Sequence, residues 1–227
     1  MVAADAKADA KAVKAAEAAT KNVIVKTNNL YLDNIIIDMK EYANKYKVPI
    51  IKDEGLIFIR DLLKIKRPLK ILEIGTAIGY SAIQFQNSCD CEVYTIERDE
   101  TMYNEAVKNI KLANLSDKIH LVFGDALDIV EDFKDMKFDV IFIDAAKAQY
   151  LKFFVLYTKY LNDNGLVICD NMLFHGLVLQ DNYDELSKSL RGLVKKLDAF
   201  REFLLVHSEY DTTIYDIGDG ISVSVKK

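Results

Sequence analysis

The stretch "KILEIGTAIGYSAIQF", residues 70–85, sets an apolar run against two glycines, Gly75 and Gly79, and then continues as a helix. Strand, glycine turn, helix is the opening unit of an open α/β sheet, and the rest of the chain repeats it. Short runs rich in Val, Ile and Phe recur at "EVYTI" (92–96), "IHLVF" (119–123), "DVIFI" (139–143) and "LVICD" (166–170). Helix-length amphipathic segments such as "ETMYNEAVKNIKLAN" and "QYLKFFVLYTKYL" separate them. Five such units imply a parallel sheet with helices on both faces. The end of the chain departs from this rhythm. In "TTIYDIGDGISVSVK", two strand-like runs flank Gly-Asp-Gly, and Ile221, Val223 and Val225 alternate with polar residues. That pattern predicts a hairpin, so the expected fold is a seven-stranded, Rossmann-like α/β sheet, mostly parallel, that ends with one antiparallel strand.

Upstream, the periodicity predicts a helix from about residue 28 to Tyr46, a break at "KVPI", and a second helix over "DEGLIFIRDLLKIK" closed by Pro68. Residues 1–27 are set apart from the domain spanning 28–227. The first 21 residues are alanine-rich with interspersed Lys, Asp and Glu, and cannot build a core. Their charges recur too often for the apolar centre of a signal peptide, so the segment reads as a solvated helical extension or an expression remnant. With 227 residues, 51% of them hydrophobic and 29% charged, the chain can bury one sizeable core. No apolar run approaches the roughly 18 residues of a membrane span. Cys89, Cys91 and Cys169 are too few and too irregularly placed for a disulfide framework or a zinc site, which makes a reducing cytoplasm the expected location. A formal charge of -5 argues against a generalist nucleic-acid binder but leaves room for a local basic patch.

Open α/β sheets bind ligands beyond the carboxyl ends of their strands, and here those ends are unusually polar. Glu73, Glu97, Asp125, Asp144, Asp170 and Asn171 close the five runs and are expected to line one rim of one crevice. Any one of them could simply cap the helix that follows; six together are poorly explained that way. Gly75 and Gly79 let the backbone turn sharply and approach a ligand. Their spacing is not the G-x-G-x-x-G of dinucleotide binding, and Ile78 is bulky, which disfavours an NAD-dependent oxidoreductase. Glu97 nevertheless ends the second strand, about 20 residues on, where an acidic side chain accepts from a ribose diol. A cofactor with a ribose and no pyrophosphate fits, and S-adenosylmethionine is one.

Taken together, "EIGTAIGYS", "IERD", "GDA", "FIDAAKAQY" and "DNMLFHG" resemble the metal-dependent class I O-methyltransferases of the catechol and caffeoyl-coenzyme A type, over residues 28–227. Within that family, "LEIGTAIGYS" and "IDAAKAQ" look most similar to the bacterial tRNA 5-hydroxyuridine methyltransferases. The resemblance implies that Glu97 binds the ribose hydroxyls and that Asp125 and Ala126 border the adenine. It places Ser81 and the turn carrying Gly75 and Thr76 at the methionine end, with Glu73 also among the cofactor contacts. Ile51 aligns with a cofactor-lining position, although its "KDEG" loop departs from the more usual "EPEG". The same resemblance makes Asp144, Asp170 and Asn171 ligands of a divalent cation, with Asp144 shared with the cofactor side, and it implies a homodimer. Three oxygen donors without Cys or His suit Mg²⁺. Asp170 and Asn171 are also common turn formers, and Asp144 from the neighbouring strand end tips the balance toward metal.

Lys147, three residues past Asp144, could be an ordinary surface lysine. In the family the corresponding lysine stands beside the acceptor oxygen, and Lys147 and Asp144 are the catalytic candidates. An ammonium and a metal ion both stabilise an oxyanion. His175 is a second-tier candidate for orienting substrate, and Cys169 reads as packing. Lys188, Arg191 and Lys195 fall on one helix face, where a tRNA backbone could bind. The expected reaction is methylation of 5-hydroxyuridine in tRNA. The alternatives are a small catechol-type acceptor and a non-catalytic RNA-binding module.

Overall fold

The computed structural model describes residues 30–174, 176–179 and 186–227. The alanine-rich extension, residues 1–27, and His175 lie outside them. The chain begins with helix α1 (residues 30–46), which buries Ile35, Met39 and Ala43 at helical spacing. Helix α2 (Asp53–Lys66) matches its sequence-predicted limits, with Asp53 and Glu54 in its first turn and Lys64 and Lys66 in its last, as the helix dipole favours. It buries Gly55, Leu56, Ile59 and Leu63 and stops at Arg67, whose left-handed backbone precedes Pro68.

The alternating units follow as β1 (Lys70–Ile74), α3 (Tyr80–Cys89), β2 (Glu92–Glu97), α4 (Glu100–Leu112), β3 (Ile119–Phe123), β4 (Phe138–Ile143), α5 (Tyr150–Tyr157), β5 (Leu161–Cys169) and α6 (Lys188–Val206). Strands β6 (Tyr210–Tyr215) and β7 (Ile221–Lys226) close the chain. The sheet order is β3-β2-β1-β4-β5-β7-β6. Strands β1 to β5 are parallel, and β7 pairs antiparallel with both β5 and β6. The single antiparallel strand expected from the hairpin is therefore present, but it is inserted inside the sheet, and β6 forms the edge. Long-range pairing decided this: β7 buries its first four residues, Ser222 and Ser224 included, whereas β6 alternates between covered and exposed. Strand β5 is longer than "LVICD" suggested, because "LNDNG", which reads as a loop, extends it.

Each face of the sheet packs against its own helices. Helices α1 to α4 cover one side against Ile71, Val93, Val140, Phe142 and Ile168. On the other side, α5 and α6 contribute Tyr150, Phe154, Tyr157, Leu197 and Phe200 against Leu72, Ile141, Ile143 and Val167. Chain direction across the sheet reverses between β1 and β4. At such a switch point the connections leave in opposite directions and a crevice opens at the strand ends.

Candidate active site

The crevice has a volume of about 320 Å³ and lies where the switch point predicts. Its floor is Ile74, Gly75 and Thr76 from the end of β1, Ile96 and Glu97 from β2, Gly124 to Ala126 after β3, and Asp144 to Lys147 after β4. Tyr80 and Ser81 from the first turn of α3 line it, as do Met102, Phe153 and Asn171. Val48, Pro49, Ile50 and Ile51, linking α1 to α2, form an apolar wall.

The turn after β1 has a steric reason for its glycine. Gly75 adopts φ +100°, and a Cβ there would lie 2.4 Å from the carbonyl oxygen of Asp144. Its N–H and that of Thr76 donate to Ile96 O at 3.1 and 3.2 Å, tying the turn to β2. Ala77 also has positive φ, 47°, and its N–H donates to Glu97 Oε2 at 2.8 Å. The other carboxylate oxygen, Oε1, accepts from the N–H groups of Arg98 (2.9 Å) and Asp99 (2.8 Å). Three backbone donors thus fix the Glu97 carboxylate while it still borders the crevice.

Beside it, Asp125 accepts from Leu127 N–H at 2.9 Å and pairs with the Arg98 guanidinium at 3.1 Å. The Leu127 hydrogen bond, with Arg98 helping against burial, holds the Asp125 carboxyl below its ordinary range. Asp144 stands on the opposite side of Gly75. Its Oδ1 is 3.3 Å from the Asn171 amide, and burial raises its pKa while Lys147 opposes the rise. Asn171 has φ 60°, and its N–H donates to Asp170 Oδ1 at 2.7 Å. Asp170 itself is pushed up to about 7, by burial first and then by the Asp144 charge. Lys147 opens the 3₁₀ turn Lys147–Gln149, with its Nζ 5.9 Å from the centre of the Phe174 ring.

Four of the six strand-end residues expected on one rim, Glu97, Asp125, Asp144 and Asn171, do line the crevice, and so do Ile51, Gly75, Thr76, Ser81, Ala126 and Lys147. Glu73 and Asp170 are the corrections. Glu73 precedes the last residue of β1 and is wholly buried under the first turn of α3, where Thr95 Oγ1 donates to its Oε2 at 2.5 Å and Oε1 has no hydrogen-bond partner among the described residues. Burial pushes its pKa up to about 8 against the pull of Ser81 and Thr95. Thr76 Oγ1, 2.6 Å from Thr95 Oγ1, links this network to the crevice. Asp170 is 4% exposed and sits behind Asn171. The sequence reading missed Val48 to Ile50, Arg98 and Met102. Arg98 could have been found from its place beside Glu97; the apolar wall carries no chemical signature.

Two carboxylates and an amide are the donors available to a cation. Among the described residues, no group of three or more His, Cys, Asp and Glu side chains has the arrangement of a metal site, so a cation bound by Asp144 and Asp170 would need Asn171 as a third side-chain ligand. The fit is chemical: a half-turn of the Asn171 amide presents its oxygen where its nitrogen now meets Asp144, and the Asp144 charge, after burial, raises the proton affinity of Asp170 unless a cation offsets it.

A doubly wound sheet whose switch-point crevice joins a fixed carboxylate to an oxygen-donor cluster and a lysine has the parts of a methyl-transferring enzyme. Residues 25–227 match the O-methyltransferase family model. The chain belongs to this family and is an S-adenosylmethionine-dependent O-methyltransferase. It is 28% identical to a caffeoyl-CoA O-methyltransferase of Populus kitakamiensis over 190 residues, 81% of this chain and 80% of that one. A Staphylococcus aureus crystal structure, provisionally described as a caffeoyl-CoA O-methyltransferase, shares 40% identity at a TM-score of 0.80, covering 85% of this chain and 92% of its own. An O-methyltransferase from Bacillus cereus, solved with S-adenosylhomocysteine, is 25% identical at a TM-score of 0.75, covering 86% and 91%.

Proposed function

We propose that the protein methylates an acidic hydroxyl on a planar ring, with S-adenosylmethionine lying along the crevice and a divalent cation held by Asp144, Asp170 and Asn171. The observation that carries this reading is that Asp144, Asn171 and Lys147 line the same crevice as the Glu97 carboxylate. Glu97 accepts the ribose hydroxyls, since its three backbone hydrogen bonds leave further lone-pair directions toward the crevice. Asp125 and Ala126 border the adenine, and Ser81 with the Gly75–Thr76 turn meets the methionine end. Glu73 acts from below, through Thr95 and Thr76, by fixing that turn. The bound cation would supply Lewis acidity that lowers the acceptor hydroxyl's pKa. Lys147 donates from Nζ to the same oxygen, and the apolar wall of Val48 to Ile51 excludes water from the reacting atoms.

A small phenolic acceptor is the favoured reading, supported by the substrate named for the Populus relative. This revises the order expected from sequence, which put tRNA first. A tRNA acceptor is retained as the second reading on one observation: α6, which packs against the Lys147–Gln149 turn, carries exposed Lys188 and Lys195. Arg191, the third member of the stripe, turns back to donate to Leu186 O at 3.3 Å, which weakens the basic face. Mass spectrometry of parallel reactions with a catechol, caffeoyl-CoA and tRNA carrying unmethylated 5-hydroxyuridine separates the two. Methylation of a small phenol supports the first reading. Methylation of tRNA alone overturns it in favour of the second.

A further inference from the structure

The two cysteines at the corner between α3 and β2 are built as a pair. Cys89 is the last residue of α3, Asp90 caps the helix in a left-handed conformation with φ 48°, and Cys91 leads into β2. That reversal turns both side chains to the same side, so the sulfurs lie 3.1 Å apart and in contact. A disulfide bond needs about 2.05 Å, so closure requires a movement of roughly 1 Å. The two thiols differ in access: Cys89 is partly exposed, whereas Cys91 is 1% exposed. They differ in acidity in the same sense, because the contact between them favours the Cys89 thiolate and, with burial, raises Cys91. Asp90, whose charge opposes a thiolate here, is paired with Lys118 at 3.4 Å.

We infer that Cys89 and Cys91 form a reversible thiol–disulfide modification site, with Cys89 as the attacking thiol and Cys91 as the resolving one, for low-molecular-weight disulfides as oxidant. In the first step the Cys89 thiolate attacks one sulfur of the incoming disulfide and expels the other as a thiolate. In the second, Cys91 gives its proton to solvent and attacks Cys89 Sγ, releasing the second thiolate. Two protein thiols are oxidised and one disulfide is reduced to two thiols. The site is separate from the crevice chemistry, but both elements it joins run to the crevice: α3 begins at Tyr80 and Ser81, and β2 ends at Glu97. Cys169, buried inside β5, has no cysteine partner among the described residues and is not part of the pair.

Incubation of the full chain with oxidised glutathione, followed by alkylation and peptide mass spectrometry, tests this. The expected product is a peptide carrying Cys89 and Cys91 that has lost two hydrogens, reverts with dithiothreitol, and leaves Cys169 alkylated. Cys91→Ser should instead accumulate a stable glutathione adduct on Cys89, and Cys89→Ser should react far more slowly. Circular dichroism of both variants confirms that they are folded. A persistent adduct on wild-type Cys89, a Cys91→Ser variant that takes up no glutathione, or no reaction in the wild type would overturn the assignment.

Discussion

Replacing Glu97 by Ala removes a carboxylate that three backbone N–H groups, those of Ala77, Arg98 and Asp99, hold ready in the crevice. Two effects follow, and they have different sizes. The three donors lose their acceptor but sit at the crevice edge where water can replace it, so folding should weaken by only about 1–2 kcal/mol. For a chain of this length that lowers Tm by about 2–4 °C per kcal/mol. The nucleoside loses more: two ribose hydroxyls each forfeit a hydrogen bond to a charged acceptor, about 1.5–3 kcal/mol apiece. Partial solvent access favours the lower end, near 3 kcal/mol, or on the order of 100-fold in Kd. Glu97→Gln should rescue little, because its amide nitrogen would face a backbone donor on one side. Titration calorimetry with S-adenosylmethionine, beside thermal unfolding, reads both quantities. Affinity of Glu97→Ala within about threefold of the parent would refute the ribose assignment, whatever the change in Tm.

Asp170→Asn should abolish methyl transfer and weaken Mg²⁺ binding while leaving S-adenosylmethionine affinity within about threefold, since Asp170 does not line the crevice; equilibrium dialysis with the metal, beside calorimetry with the cofactor, checks this. Gly220→Ala should destabilise the fold and slow turnover together, because φ is +87° and the added Cβ would lie 2.4 Å from Leu173 Cγ, beside the hydrogen bonds that Gly220 O and Asp219 O accept from Met172 and Leu173; denaturant unfolding and steady-state rates on one preparation measure both. Glu73 gives a pH signature. Its folded pKa is raised from 4.5 to about 8, so the stability it allows is fully present below 4.5 and is lost as pH rises through 8, at up to about 1.4 kcal/mol per pH unit. Glu73→Gln should flatten that decline in urea unfolding between these pH values, and an unchanged slope would count against a buried, protonated Glu73.

The order of strands, helices and glycine turns was legible because apolar periodicity and turn chemistry are local, and α2 was legible to the residue. The position of β7 between β5 and β6 was not, since it depends on which edge of the sheet a hairpin meets, a contact more than fifty residues away in sequence between Leu166 and Val225. Strand ends identified the crevice but could not tell which side chains reach it. Glu73 and Glu97 look equivalent in sequence; one turns beneath α3 and is sealed, and the other is drawn to the rim by Ala77 N–H. The residues proposed for cofactor and metal carry recognisable chemistry, whereas the wall of Val48 to Ile51 is visible only once α1 and α2 are packed. Acceptor choice was read first from the likeness of "LEIGTAIGYS" and "IDAAKAQ" to tRNA methyltransferases and then from a basic stripe, and the structure weakens the second signal by folding Arg191 back onto Leu186.

The most direct measurement is a crystal structure of the protein grown with S-adenosylhomocysteine and Mn²⁺, with the metal located by its anomalous scattering. The expected result has the ribose hydroxyls on Glu97, the adenine beside Asp125 and Ala126, and one anomalous peak bound by Asp144, Asp170 and Asn171 with Lys147 facing its open side. A nucleoside bound elsewhere, or a metal peak away from those three side chains in a crystal whose crevice is filled, would contradict it.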